Sequence, residues 1–186
     1  MISFRFAITP DDFANYSIYV QLEAPGKKKL IFKRFWPLII VMSLVFFIDI
    51  LDGFLTDKFD NTFIIGIAVF AFILLSSAFS LKPRIKKLAL KFAARADNIS
   101  VFRMTDYTFS ETGVITKDDV KEMQFQWAAF IKKAETANYF YLFLHSTSAL
   151  IIPKRIFRSQ VEKDLFTQLL SAHISFDAEI GHLVKQ

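Results

Sequence analysis

Apolar residues recur along this chain with different periods, and each period predicts a different kind of element. Ile2, Phe4, Phe6 and Ile8 alternate with their neighbours, the pattern of a half-buried strand. Thr9-Pro10-Asp11-Asp12 then reads as a helix start. Thr9 can cap, Pro10 suits the first helical position, and the acids complement the helix dipole. Phe13, Tyr16 and Val20 form the apolar stripe of that helix, which Pro25-Gly26 should stop. Periodicity then gives way to two long apolar stretches, Trp36–Leu55 and Phe63–Leu81, of about 20 and about 19 residues. Only the polar turn Thr56–Thr62 separates them. Two stretches of spanning length joined by a tight loop predict a two-helix transmembrane hairpin over 35–81.

Downstream the pattern becomes amphipathic and then alternating. In the segment 82–97, Ile85, Leu88 and Phe92 fall on one side of a helix, and Arg84, Lys87, Lys91 and Arg95 form a stripe on another. After Asp97-Asn98 short strands are expected at Ile99–Met104, Tyr107–Ser110, Val114–Lys117, Val120–Phe125, Ile131–Glu135, Tyr139–Leu144 and Ala149–Ile152. Glu111-Thr112-Gly113 supplies a turn in which Gly113 is free to take positive φ. Gln126–Phe130 reads as a turn that plugs Trp127 into the core, and Pro153 ends the last strand. Ser159-Gln160-Val161-Glu162 is a capping box, and the helix it opens should bury Val161, Leu165, Leu169 and Leu170. Antiparallel strands closed by a C-terminal helix imply an α+β domain over 98–175, a strongly bent sheet plugged by that helix. An N-terminal strand and helix precede it at 1–34, and a weakly patterned tail follows at 176–186.

Charge sharpens the membrane reading. The 186 residues carry a net charge of +5, and cations flank the apolar stretches. Lys27, Lys28, Lys29, Lys33 and Arg34 precede the first, while Lys82, Arg84, Lys86, Lys87 and Lys91 follow the second. Such flanks stay inside, so both termini are expected to be cytoplasmic in a multi-pass inner-membrane protein. The basic balance is then a topology signal rather than a nucleic-acid footprint. Cysteine is absent, which rules out a disulfide framework or thiolate metal site. The opening MISFRFAITPDD has no basic region followed by an apolar core, so no cleavable signal is expected.

Candidate chemistry is sparse. His145, His173 and His182 lie at no metal-ligand spacing, there is no phosphate-binding glycine loop or nucleophile motif, and no cofactor is implied. Two basic groups invite a binding role. Arg84, Lys87, Lys91 and Arg95 could rest on anionic headgroups of a bilayer, or else simply be solvated on a helix packed against the domain. Lys154, Arg155 and Arg158 could contact lipid phosphates or the acids of an unknown protein partner. Asp49 is an intramembrane acid if the first stretch spans: a carboxylate that snorkels outward or sits protonated against the partner helix, or else a proton or cation site within an assembly. Gly66 and Ala68 would permit close helix contact, and homo-oligomers through the spans would be one outcome.

Four stretches resemble one family. Tyr107–Val114, Gln126–Phe130, Tyr139–Leu142 and, above all, Ile151-Ile152-Pro153-Lys154-Arg155-Ile156-Phe157 are similar to the YcxB-like family of bacterial membrane proteins. The resemblance implies a pleckstrin-homology-like cytoplasmic domain and brings no activity or catalytic residues with it. The expected function is therefore a non-enzymatic membrane protein that presents a binding domain. An accessory subunit of a larger transporter or envelope enzyme is the alternative.

Overall fold

The computed structural model of the chain describes residues 1–25, 27–56 and 81–174. Strand β1 (Ile2–Phe6) leads through a capped turn into helix α1 (Pro10–Ile18). A π-helical turn, Tyr19–Glu23, follows, and then helix α2 (Lys27–Thr56) and helix α3 (81–93). The remaining strands are β2 (Thr105–Phe109), β3 (Gly113–Lys117), β4 (Glu122–Gln126), β5 (Lys132–Glu135), β6 (Tyr139–Phe143) and β7 (Ala149–Pro153). Helix α4 (Gln160–His173) closes the described chain.

The strands form two antiparallel sheets, in the orders β1-β2-β3-β4 and β5-β6-β7. β1 pairs along β2 with Ile2 opposite Phe109 and Phe6 opposite Thr105, so the N-terminal segment completes the first sheet. The alternation of β1 has the consequence expected of it: Phe4 and Phe6 are buried while Ser3 and Arg5 face out. Gly113 has φ +154°, and a Cβ there would collide with the Phe125 carbonyl oxygen across the β3–β4 pair.

Two apolar clusters lie on opposite faces of β6. Phe140 and Leu142 join Phe4, Phe109, Val114, Ile152, Trp127 and α4 in the main core. Tyr139, Tyr141 and Phe143 point the other way, under Tyr16, Tyr19, Val20 and Ala24 of the N-terminal helix and π turn. That is why all five residues of β6 are buried. Phe166 of α4 wedges into the main core edge-on, 4.8 Å from Phe109 and 5.5 Å from Phe140 between ring centroids.

Several sequence expectations are corrected. Among the described residues no helix is long and apolar enough to cross a membrane. In α2, cations fill the first turns, and the run without proline or charge between Pro37 and Asp49 covers only Leu38–Ile48, with Ser43 inside it. Such a run reaches roughly half the 30 Å of a bilayer core. The transmembrane hairpin, and with it the multi-pass inner-membrane placement with cytoplasmic termini, is therefore not upheld. The second expected span, apart from Leu81, and the Gly66 and Ala68 contact lie outside the described residues. The α+β part is built from two sheets rather than one bent sheet. Ile99–Phe102 belongs to a 3-10 stretch, Ala96–Phe102, instead of a strand, and Ile99 and Val101 are exposed. On α4, Val161 and Leu165 are exposed; Phe166 and Leu170 are the buried pair.

Candidate functional site

Helix α3 is held against α1 by one edge. Ile85 and Ala89 are buried, and Phe92 stacks on Phe13 with ring centroids 5.1 Å apart. Two ion pairs fasten the same edge: Lys86 to Asp11 at 3.0 Å and Lys82 to Glu23 at 2.7 Å. Leu88, assigned by its spacing to the apolar side, is exposed. Arg84, Lys87 and Lys91 run along the outward face, all exposed. Arg95 is also exposed but lies beyond the helix, in extended backbone at φ −77° and ψ 136°. The stripe read from spacing is thus three helical cations and one just past the end.

Lys154, Arg155 and Arg158 do not form a comparable patch. Arg155 grips Asp12 with both guanidinium arms, each N–O distance 2.6 Å. The Asp12 side chain is only 3% exposed, and it also accepts from the Tyr139 hydroxyl at 3.0 Å and the Thr9 amide at 2.8 Å. Asn15 in turn donates to the Tyr139 hydroxyl at 3.0 Å. Burial pushes the Asp12 carboxyl up, but Arg155, the Thr9 amide and hydroxyl, and Tyr139 together outweigh it, so the group sits below its ordinary value. The Arg155 guanidinium is correspondingly raised, first by its bonds to Asp12. Lys154 pairs with Glu135 at 2.5 Å and lies over the Phe140 ring, 4.8 Å from its centroid. Arg158 remains exposed, its backbone amide donating to Glu162. Arg155 thus fastens the N-terminal helix to the end of β7, and Lys154 ties that end to β5.

An open groove of about 400 Å³ runs between α1 with its π turn and the β5–β6 turn. Tyr19, Tyr139 and Tyr141 line it along with Glu23, Lys82 and Asn138. Burial raises the hydroxyls of Tyr19 and Tyr141; the Glu23 carboxylate raises Tyr19 further, and the neighbouring Tyr139 does so for Tyr141. Sequence reasoning passed over these residues, and over Asp12 as anything more than a first-turn acid. The one local hint was the Thr9-x-x-Asp12 spacing, which forms a reciprocal cap here. Nothing in the chain order points from Tyr19 to Tyr141.

The other expected positions contribute little. Asp49 falls within α2, with its side chain outside the described residues. His173 stacks on Trp127 at 5.0 Å, the planes 2° apart, and meets Glu111 at 3.0 Å. Among the described residues no three His, Asp or Glu side chains are grouped so as to hold a metal ion. Lys133 of β5, which sequence reading did not single out, is buried and donates to Ser171 at 2.9 Å; burial lowers its ammonium.

No curated protein and no solved structure matches the chain. The family comparison does find a match, within the sheets and helix just described. It takes in β3 to β7 and most of α4, and leaves out α3 as well as β1 and α1, the last two of which contribute side chains to the main core and the second cluster respectively. Residues 109–170 match the family described as YcxB-like protein, the family that the Pro153–Phe157 element resembles.

Proposed function

We propose that the chain is a non-enzymatic binding module, a pleckstrin-homology-like pair of sheets closed by α4, that offers a basic helix to an anionic lipid surface. One observation carries this reading: α3 is clamped by its inner edge, so Arg84, Lys87 and Lys91 are held outward together. A clamped helix presents its charges without the entropy loss of ordering a loose segment. Each cation near an anionic leaflet gains about 1 kcal/mol, so the four together favour contact by a few kcal/mol. Contact of this kind is made from outside the bilayer and asks for no spanning helix. The two sheets and their closing helix support the comparison with pleckstrin-homology domains.

Vesicle co-sedimentation of the full chain tests it. Vesicles containing anionic lipid should retain the chain at low salt and release it near 1 M salt, where the Debye length is about 3 Å. Changing Arg84, Lys87, Lys91 and Arg95 to Gln should abolish retention. Equal binding to neutral vesicles, or retention by the Gln variant, would overturn the role of the stripe.

A second reading, an accessory subunit of a larger assembly, draws on α2. Val41, Leu44, Phe47 and Ile48 stand exposed there, a surface that a partner protein would cover. Native gel migration in mild detergent separates the two: a lone species favours the module, a defined complex the subunit.

A further inference from the structure

The tyrosine-lined groove holds a feature that the basic stripe does not use. Among the described residues its carboxylate is Glu23, which is engaged by the chain's own Lys82 through a single N–O contact of 2.7 Å. Both side chains are about half exposed, 44% and 62%, so the pair contributes little and opens easily. The space around them, about 400 Å³, is far larger than one ammonium group needs. Tyr19 is more than nine-tenths buried and lines this space. Its hydroxyl has no hydrogen-bond partner among the described residues. Glu23 and Tyr19 are the two ends of the π-helical turn, a distortion that often marks functional sites in helices. Tyr139 and Tyr141, stacked at 5.7 Å, supply an aromatic wall beside Asn138.

We propose that this groove binds a small zwitterion, a primary ammonium group linked by a short chain to a phosphate-like anion. The ammonium replaces Lys82 at Glu23, beside rings whose electron-rich faces attract cations. A primary ammonium is specified because the Glu23 carboxylate is set up to accept an N–H bond, as it does from Lys82. Lys82, released from Glu23, stays at the rim and meets the anion together with the Tyr19 hydroxyl and the Asn138 carboxamide, all of which are donors. An anion with several acceptor oxygens uses all three. The ligand thus exchanges one weak internal pair for two complementary ones. The same chemistry occurs in free phosphoethanolamine and in the ethanolamine headgroup of a lipid, and the experiment distinguishes them.

The full chain is titrated calorimetrically with O-phosphoethanolamine, ethanolamine, inorganic phosphate and phosphocholine. O-phosphoethanolamine should bind at least about tenfold more tightly than the other three, since each lacks one charged end or the N–H donors. Glu23→Gln should weaken it by about tenfold, and Tyr19→Phe, which keeps the ring, by a few fold. The Gln variant of Arg84, Lys87, Lys91 and Arg95 should leave this binding unchanged, so the groove and the stripe succeed or fail separately. Vesicles bearing ethanolamine headgroups, compared with choline vesicles, then identify the source. Selective capture that soluble O-phosphoethanolamine competes away supports a lipid headgroup in the site, and absence of capture supports the free molecule. Equal affinity for inorganic phosphate and O-phosphoethanolamine, no binding to either, or an unchanged affinity in Glu23→Gln would overturn the proposal.

Discussion

The cations at the end of β7 and those along α3 differ in what stands opposite them. Arg155 faces a carboxylate that the fold has buried, and Lys154 faces Glu135 and an aromatic ring. Arg84, Lys87 and Lys91 face solvent, while the acids near α3 are taken by Lys82 and Lys86 on its inner edge. Both groups are equally basic by spacing. Their roles separate because an ion pair depends on where the partner acid is carried, and Asp12 is carried to Arg155 by a helix 143 positions away in the chain. A buried carboxylate with four contacts stabilises only while every contact is present. A solvated cation stabilises nothing and remains available.

Four measurements press on this contrast. Arg155→Ala should be the most damaging, lowering stability in urea unfolding by about 2–4 kcal/mol because Asp12 is left charged and buried. The figure is set below that of a fully buried pair because the Arg155 side chain is 49% exposed. A loss under about 0.5 kcal/mol, the range of ordinary surface changes, would place Asp12 and Arg155 among surface pairs. Acid should reproduce part of the damage. Asp12 is held below its unfolded value of about 3.9, so its contribution is present above that pH and disappears as pH falls through the depressed folded value. Asp12→Asn should flatten the stability curve below about pH 4, and a curve parallel to that of the parent chain would argue against the network.

Lys154→Ala ranks next, with a loss of about 1 kcal/mol from the Glu135 pair and the Phe140 ring. A double-mutant cycle with Glu135→Gln isolates the ionic part. Smallest of all is Lys87→Gln, expected within about 0.5 kcal/mol of the parent in thermal or urea unfolding. A clear loss there would mean that the stripe is structural after all, and would erase the distinction between the two groups.

Much of the local structure was legible from the chain alone. The alternation of Ile2, Phe4 and Phe6, the Thr9 and Ser159 caps and the tight turn at Gly113 appear where the pattern places them. Such features depend on residues within a few positions of one another, so the order of side chains specifies them. Tyr139–Leu144 is aromatic or aliphatic on both faces, which fits the burial of all of β6, but the sequence does not say what covers either face.

What the sequence by itself determined, then, is the set of short elements and the residues that start and stop them. Tertiary structure decided which of their faces are used. Ile99-Ser100-Val101 has a strand's composition, yet no neighbouring strand pairs with it, and it coils into the 3-10 stretch Ala96–Phe102. On α4 two apolar stripes competed: Val161, Leu165 and Leu169 on one side, Phe166 and Leu170 on the other. The helix turned Phe166 inward because the two sheets leave a space bounded by Phe4, Phe109 and Phe140 that a ring fills. The pairing of β1 with β2, the Asp12–Arg155 clamp and the groove between Tyr19 and Tyr141 arise in the same way. Each depends on surfaces brought together over a hundred or more positions, and a periodic pattern carries no information about a partner that distant.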